Sequence, residues 1–162
     1  MVTQPKSSWA LLSYRIPREP STPRIAVWRK LRELGVAQVG DGLVALPADA
    51  RTIEHLEWVA ASVIEADGDA IVWVAAPTTR RGGSELANQM SSARTSEYRE
   101  LLDEMISITG RVDSRSLARL RRSWRKIDRR DYFRSELRDE SRIALADLAR
   151  DGAHIDSTES VK

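Results

Sequence analysis

The chain has 162 residues, 41% hydrophobic and 31% charged, enough for one core of ordinary size under a charged surface, and its lack of cysteine excludes disulfides, thiolate metal sites and cysteine nucleophiles. No run approaches about 18 consecutive apolar residues, and no basic head leads into an apolar stretch, so neither a membrane span nor a signal peptide is predicted and a cytoplasmic, reducing location is expected. The net charge of +2 hides a segmental spread of +4 over residues 1–47, −6 over 48–110, +7 over 111–134 and −3 over 135–162, which predicts a dipolar surface.

Residues 1–8 are polar and expected to be frayed. Residues 9–16 (WALLSYRI) are apolar and stop at Pro17, which predicts a buried strand. Three prolines in 17–23 exclude a helix interior. Ser21 or Thr22 is then placed to cap a helix in which Ile25, Trp28, Leu31 and Leu34 recur at helical spacing, and Gly35 takes the usual stop position. Residues 36–39 and 43–46 are short β-prone runs, with Gly40-Asp41-Gly42 supplying the reversal; they form either a hairpin or one bent strand. Asp49 caps a second helix to about residue 66, with Ile53, Leu56, Val59, Ala60 and Val63 on one face. Asp67-Gly68 breaks it, and residues 70–75 (AIVWVA) form the next strand, closed by Pro77. The five tryptophans (Trp9, Trp28, Trp58, Trp73 and Trp124) are core candidates because of the area each can bury.

The resulting order over residues 9–77 is β-α-β-β-α-β, an α+β arrangement that predicts a ferredoxin-like antiparallel sheet with both helices on one face. Residues 78–84, with Arg80-Arg81-Gly82-Gly83, read as a flexible connector. A helical extension follows over 84–150. One helix begins near 85–90, and Ser96 caps another bearing Tyr98, Leu101, Leu102, Met105 and Ile106 up to Gly110. Asp113 caps a third, with Leu117, Leu120, Trp124 and Ile127, and Tyr132 and Phe133 lead to a last helix over 139–149. Residues 151–162 are expected to be disordered from Gly152 onward.

The third tail helix holds the candidate site. Arg115, Arg119, Arg122, Lys126 and Arg129 fall at helical spacing opposite the apolar side, flanked by Arg121, Arg125 and Arg130. Such a stripe suits phosphates of nucleic acid, small planar oxyanions, or carboxylates of this chain or a partner. Arg80 and Arg81 are a second oxyanion-binding candidate, but no Lys-Ser/Thr follows their glycines, so they form no P-loop. His55 and His154 have no metal-ligand spacing, and no serine lies in G-x-S-x-G. No catalytic residue, metal or cofactor is expected, and the chain does not read as an enzyme.

Trp9-Ala10-Leu11-Leu12-Ser13-Tyr14, Pro17, Pro20-Ser21, Arg24, Trp28-Arg29, Leu31, Leu34-Gly35, Gly42 and Leu46-Pro47 are arranged as in a known family. The same holds for residues 96–101 (SEYREL) and 120–133 (LRRSWRKIDRRDYF). In these blocks the chain resembles the N-terminal domain family of the chromate-resistance regulator ChrB. The resemblance implies a chromate-responsive transcriptional regulator that binds DNA. Family members often have a further C-terminal domain. If chromate sensing belongs to that domain, the chain is expected to act with a separate sensor protein or in a diverged role, and chromate binding by the chain itself stays open. Residues 9–77 also have a more distant likeness to PaaX-type domains and to small CRISPR-associated nucleases, but the first strand ends Tyr14-Arg15-Ile16 without the carboxylate of the latter. The alternative is a module that dimerises or docks a partner, burying the Trp124 face.

Overall fold

A computed structural model describes residues 8–154; the terminal stretches expected to be frayed or disordered fall largely outside these. The chain divides into two compact units, residues 1–90 and 91–162. The first contains β1 (Trp9–Arg15), α1 (Ser21–Leu34), β2 (Ala37–Gly40), β3 (Leu43–Pro47), α2 (Ala50–Glu65) and β4 (Asp69–Ala75). The sheet order is β2-β3-β1-β4 and every neighbouring pair is antiparallel, the ferredoxin-like arrangement.

The register explains where the core sits. β1 pairs with β3 from Trp9↔Pro47 to Ser13↔Leu43, and with β4 from Trp9↔Ala75 to Arg15↔Asp69. Directly opposed residues share a face. Ala10 and Leu12 therefore lie beside Leu46 and Val44, all fully buried, and α2 packs on this region with Leu56, Val59 and Val63. The other face has Trp9, Leu11 and Ser13 next to Ala75, Trp73 and Ile71. It is covered at the Trp9 end, where the helix turn at Gly83 lies near the indole, while Ile71 and Trp73 stay half exposed. The β2–β3 segment is a hairpin, not one bent strand; Gly42 takes φ +67 there, and its carbonyl accepts from the Tyr14 N–H at 2.7 Å.

Several local expectations need correction. Neither Ser21 nor Thr22 caps α1: Pro20 is the N-cap residue and makes no side-chain cap bond, so both lie in the first turn. Pro23 is tolerated there because first-turn N–H groups have no intrahelical partner. The inward positions of α1 are Val27 and Leu31, which leaves Ile25 and Trp28 exposed. Asp49 does cap α2, in a reciprocal box with Thr52. The buried Thr52 hydroxyl also donates to the Pro47 carbonyl at 2.6 Å and so joins the helix start to the end of β3. Only Trp9 of the five tryptophans is fully buried; Trp28, Trp58 and Trp73 are exposed and Trp124 is half-buried. Aliphatic residues one position away take the inward sites on α1 and α2, and Trp73 sits on an edge strand.

The expected flexible connector is helical. α3 (Arg80–Ser107) starts at Arg80 and runs without a break through Ser96. Thr79 accepts from the Gly82 N–H at 3.2 Å, so the glycines fall in a capped first turn. Ser96 is not a cap because Met90, Arg94, Tyr98, Leu101, Leu102 and Met105 continue one buried stripe past it.

The second unit holds the later part of α3, α4 (Ser114–Asp128) and α5 (Leu137–His154). Tyr98, Leu101, Leu102, Met105, Leu120, Ile127 and Leu145 form its core, with Leu117 and Trp124 packed against it. α5 runs past Gly152, beyond the predicted end at residue 149.

Candidate functional site

α4 is fixed at its start, along its inner face and at its end. The Asp113 carboxylate accepts from the Ser116 N–H at 2.9 Å and hydroxyl at 2.7 Å, as a capping residue does. Those two bonds, the hydroxyl's first, hold its carboxyl below the usual carboxylate range. On the inner face Leu120 and Ile127 are buried. Trp124 donates from Nε1 to the Ser141 hydroxyl at 3.0 Å, its ring lies 6.5 Å from that of Tyr98, and the Arg138 guanidinium sits 5.5 Å from the indole centroid. The Trp124 face thus packs against the second unit's own core.

The end of α4 is held by ions. Arg130 donates to both oxygens of Glu97 at 2.7 and 3.2 Å, and the buried Arg94 reaches the same carboxylate at 2.9 Å. Burial lowers the Arg94 pKa against the opposing pull of Glu97. Asp128 accepts from Arg138 at 2.6 Å, and this bond holds the Arg138 pKa up. Sequence reasoning allowed for pairing with carboxylates of this chain but did not name Glu97 as the partner. The network's signal is that Glu97, Asp128 and Arg130 all lie inside the family-like blocks.

The outer face carries Arg115, Arg119, Arg122, Lys126 and Arg129, all exposed and in one stripe. Residues 114–127 include no Asp or Glu. At about 1.5 Å of rise per residue the stripe is roughly 21 Å long. Arg119 is committed to Glu104, whose hydrogen bond holds its pKa up, and Arg130 is turned to Glu97. Arg115, Arg122, Lys126 and Arg129, with the flanking Arg121 and Arg125, have no ion pair among the described residues. Exposed guanidinium groups present forked donors that suit phosphate or carboxylate oxygens.

Arg80 and Arg81 lie in the first unit on the opening turn of α3, not on a loop, and Arg81 pairs with Glu85 at 2.7 Å. His55 lies beside Trp58 on α2. The side chain of His154 is outside the described residues, among which no group of three or more His, Asp or Glu is placed to hold a metal. No described helix is long and apolar enough to cross a membrane.

Residues 24–114, more than half of the chain, match the family model described as Protein ChrB, N-terminal. The chain belongs to the ChrB N-terminal family. It is also similar to Protein ChrB of Cupriavidus metallidurans, at 28% identity over 141 residues and 83% of this chain. A continuous stretch covering 83% of the 162 residues necessarily includes α4, although the family model stops as that helix begins. The chain spans 43% of the length of this ChrB relative. No solved structure matches it.

Proposed function

We propose that this chain is the DNA-binding module of a non-enzymatic, cytoplasmic transcriptional regulator that controls chromate-resistance genes, with α4 laid along the phosphates of a duplex. The observation that carries the reading is the exposed face of α4, where Arg115, Arg122, Lys126 and Arg129 stand without ion pairs among the described residues and without an interleaved carboxylate. A solvated helix face commonly mixes both signs. Membership of the ChrB N-terminal family supports the same reading. Neutralised phosphates release counterions, so affinity falls steeply as salt rises.

An electrophoretic shift on the DNA upstream of the chain's own gene tests this. Submicromolar binding and a loss of at least tenfold between 50 and 200 mM salt are expected, on the order given by a few phosphate contacts. Joint replacement of Arg115, Arg122 and Arg129 by Ala lowers the salt slope by about 3. Absence of binding at low salt, or indifference to salt, rejects the proposal.

A second reading, self-association, draws on β4. It is an edge strand containing neither Lys nor Pro, and Ile71, Trp73 and Val74 are each at least half exposed. A concentration-dependent dimer that Val74→Lys disperses supports it; a monomer at all concentrations removes it.

A further inference from the structure

In the first unit a cleft of about 1090 Å³ opens at the end of the sheet where β1 leaves it. Its lining includes Arg15, Arg18, Arg24, Trp28, Asp41 and Asp69. The floor is a tight backbone junction. A Cβ at Gly42 would lie 2.3 Å from the Tyr14 carbonyl oxygen, and one at Gly68 would lie 2.4 Å from that of Arg15. The hairpin turn and the turn before β4 can close on the end of β1 only because those two positions lack side chains.

Three features of this cleft have little part in the packing of the fold. Arg15, Arg18 and Arg24 are exposed and make no ion pair among the described residues. Asp41 and Asp69 share the cleft with them and are likewise unpaired, although Arg15 and Asp69 are cross-strand partners. Trp28 is 53% exposed at the cleft wall, and the Arg32 guanidinium stacks 4.7 Å from its ring centroid. An indole left in water on a helix whose core positions are filled by Val27 and Leu31 contributes little to folding. One face of the ring is taken by the Arg32 guanidinium, and the opposite face offers a flat π surface on which a base can stack.

We propose that this cleft binds a nucleotide unit, with the phosphate on Arg15, Arg18 and Arg24, the base against Trp28, and sugar hydroxyls or base amino groups donating to Asp41 and Asp69. The carboxylates offer acceptors to the hydroxyl and amino groups of a nucleoside, contacts that an inorganic anion without a nucleoside cannot reproduce. The same chemistry is offered by a free nucleotide and by one unit of an unpaired strand. The site is independent of α4 and does not rest on duplex binding there.

Tryptophan emission of the full chain, titrated with AMP, GMP, CMP, UMP and a single-stranded 12-mer, tests the proposal. Saturable quenching is expected with a mononucleotide or with the 12-mer, and which of the two quenches identifies the source. Trp28→Phe abolishes the quench, and Arg24→Ala weakens calorimetric binding at least tenfold. The double variant Arg122→Ala/Arg129→Ala binds as the wild type does. Arg18→Ala, a surface change, serves in place of Trp28→Phe if that variant melts early. The proposal is overturned if no nucleotide or oligonucleotide saturates up to millimolar concentration. Inorganic phosphate or sulfate competing as well as a nucleotide also overturns it, as does binding that survives Trp28→Phe and Arg24→Ala but is lost in the α4 variant.

Discussion

Arg130 and Glu97 are joined through two hydrogen bonds, at 2.7 and 3.2 Å, between residues separated by most of two helices. Glu97 serves the buried Arg94 as well, so one carboxylate neutralises two guanidinium groups. Glu97→Gln keeps an acceptor but removes the carboxylate that both cations share, leaving Arg94 only its weaker interaction with Asp131. Loss of one partner from a buried pair is costly, and the partial exposure of Glu97 moderates it, so a destabilisation of about 2 kcal/mol is expected. Urea unfolding measures it; a change within experimental error shows that the network is dispensable.

The same geometry ranks the cations of α4. Arg119 is held by Glu104, whereas Arg122 has no ion pair among the described residues. A phosphate must displace Glu104 before Arg119 can serve it. Arg119→Ala is therefore expected to weaken duplex binding less than Arg122→Ala, and Glu104→Gln is expected to strengthen it. Affinities at one fixed salt concentration decide the order, and equal losses at both positions contradict it.

Trp58→Ala and Leu120→Ala separate the two kinds of apolar side chain. Trp58 is 64% exposed on α2, and its removal is expected to cost less than about 1 kcal/mol. Leu120 is fully buried in the second unit's core, and truncation there costs about 2–5 kcal/mol through lost burial and the cavity left behind. Thermal or urea melts that reverse this order place the tryptophan, not the leucine, in a core.

The element order of the first unit was legible because its strands and helices are short, bounded by Pro and Gly, and strongly patterned. Asp49, Gly35 and Asp113 signal their helix ends through chemistry local to each residue. The tryptophans were misread because side-chain size says how much a residue can bury, not which helix face turns inward. On α1 one step along the helix separates the buried Val27 from the exposed Trp28. The start of α3 was misread because Arg80-Arg81-Gly82-Gly83 has a loop composition, yet Thr79 caps it and Pro77 and Trp9 lie against its glycines. The stripe on α4 was visible from spacing alone. Pairing with the acidic middle region was an open reading, but the individual partners, Glu104 for Arg119 and Glu97 for the flanking Arg130, could not be chosen because they lie on a different helix.

Asp131 makes a stability prediction with a definite sign. Burial raises its pKa more than the Ser135 N–H and Arg138 lower it. The folded chain therefore holds this proton at pH values where the unfolded chain has released it. Stability contributed by the group falls as pH rises from the unfolded carboxylate value, about 3.9, through the folded one. Asp113 acts in the opposite direction, because its lowered pKa adds stability that is lost as pH falls. Comparison with Asp131→Asn isolates the first effect, since Asn keeps an oxygen for the Ser135 N–H, which Asp131 accepts at 2.9 Å. The stability of Asp131→Asn relative to the wild type should increase as pH is raised through the carboxylate range and level off above it. Urea midpoints taken across that range for both proteins measure the change. A difference that is constant with pH means Asp131 titrates alike in the folded and unfolded chain.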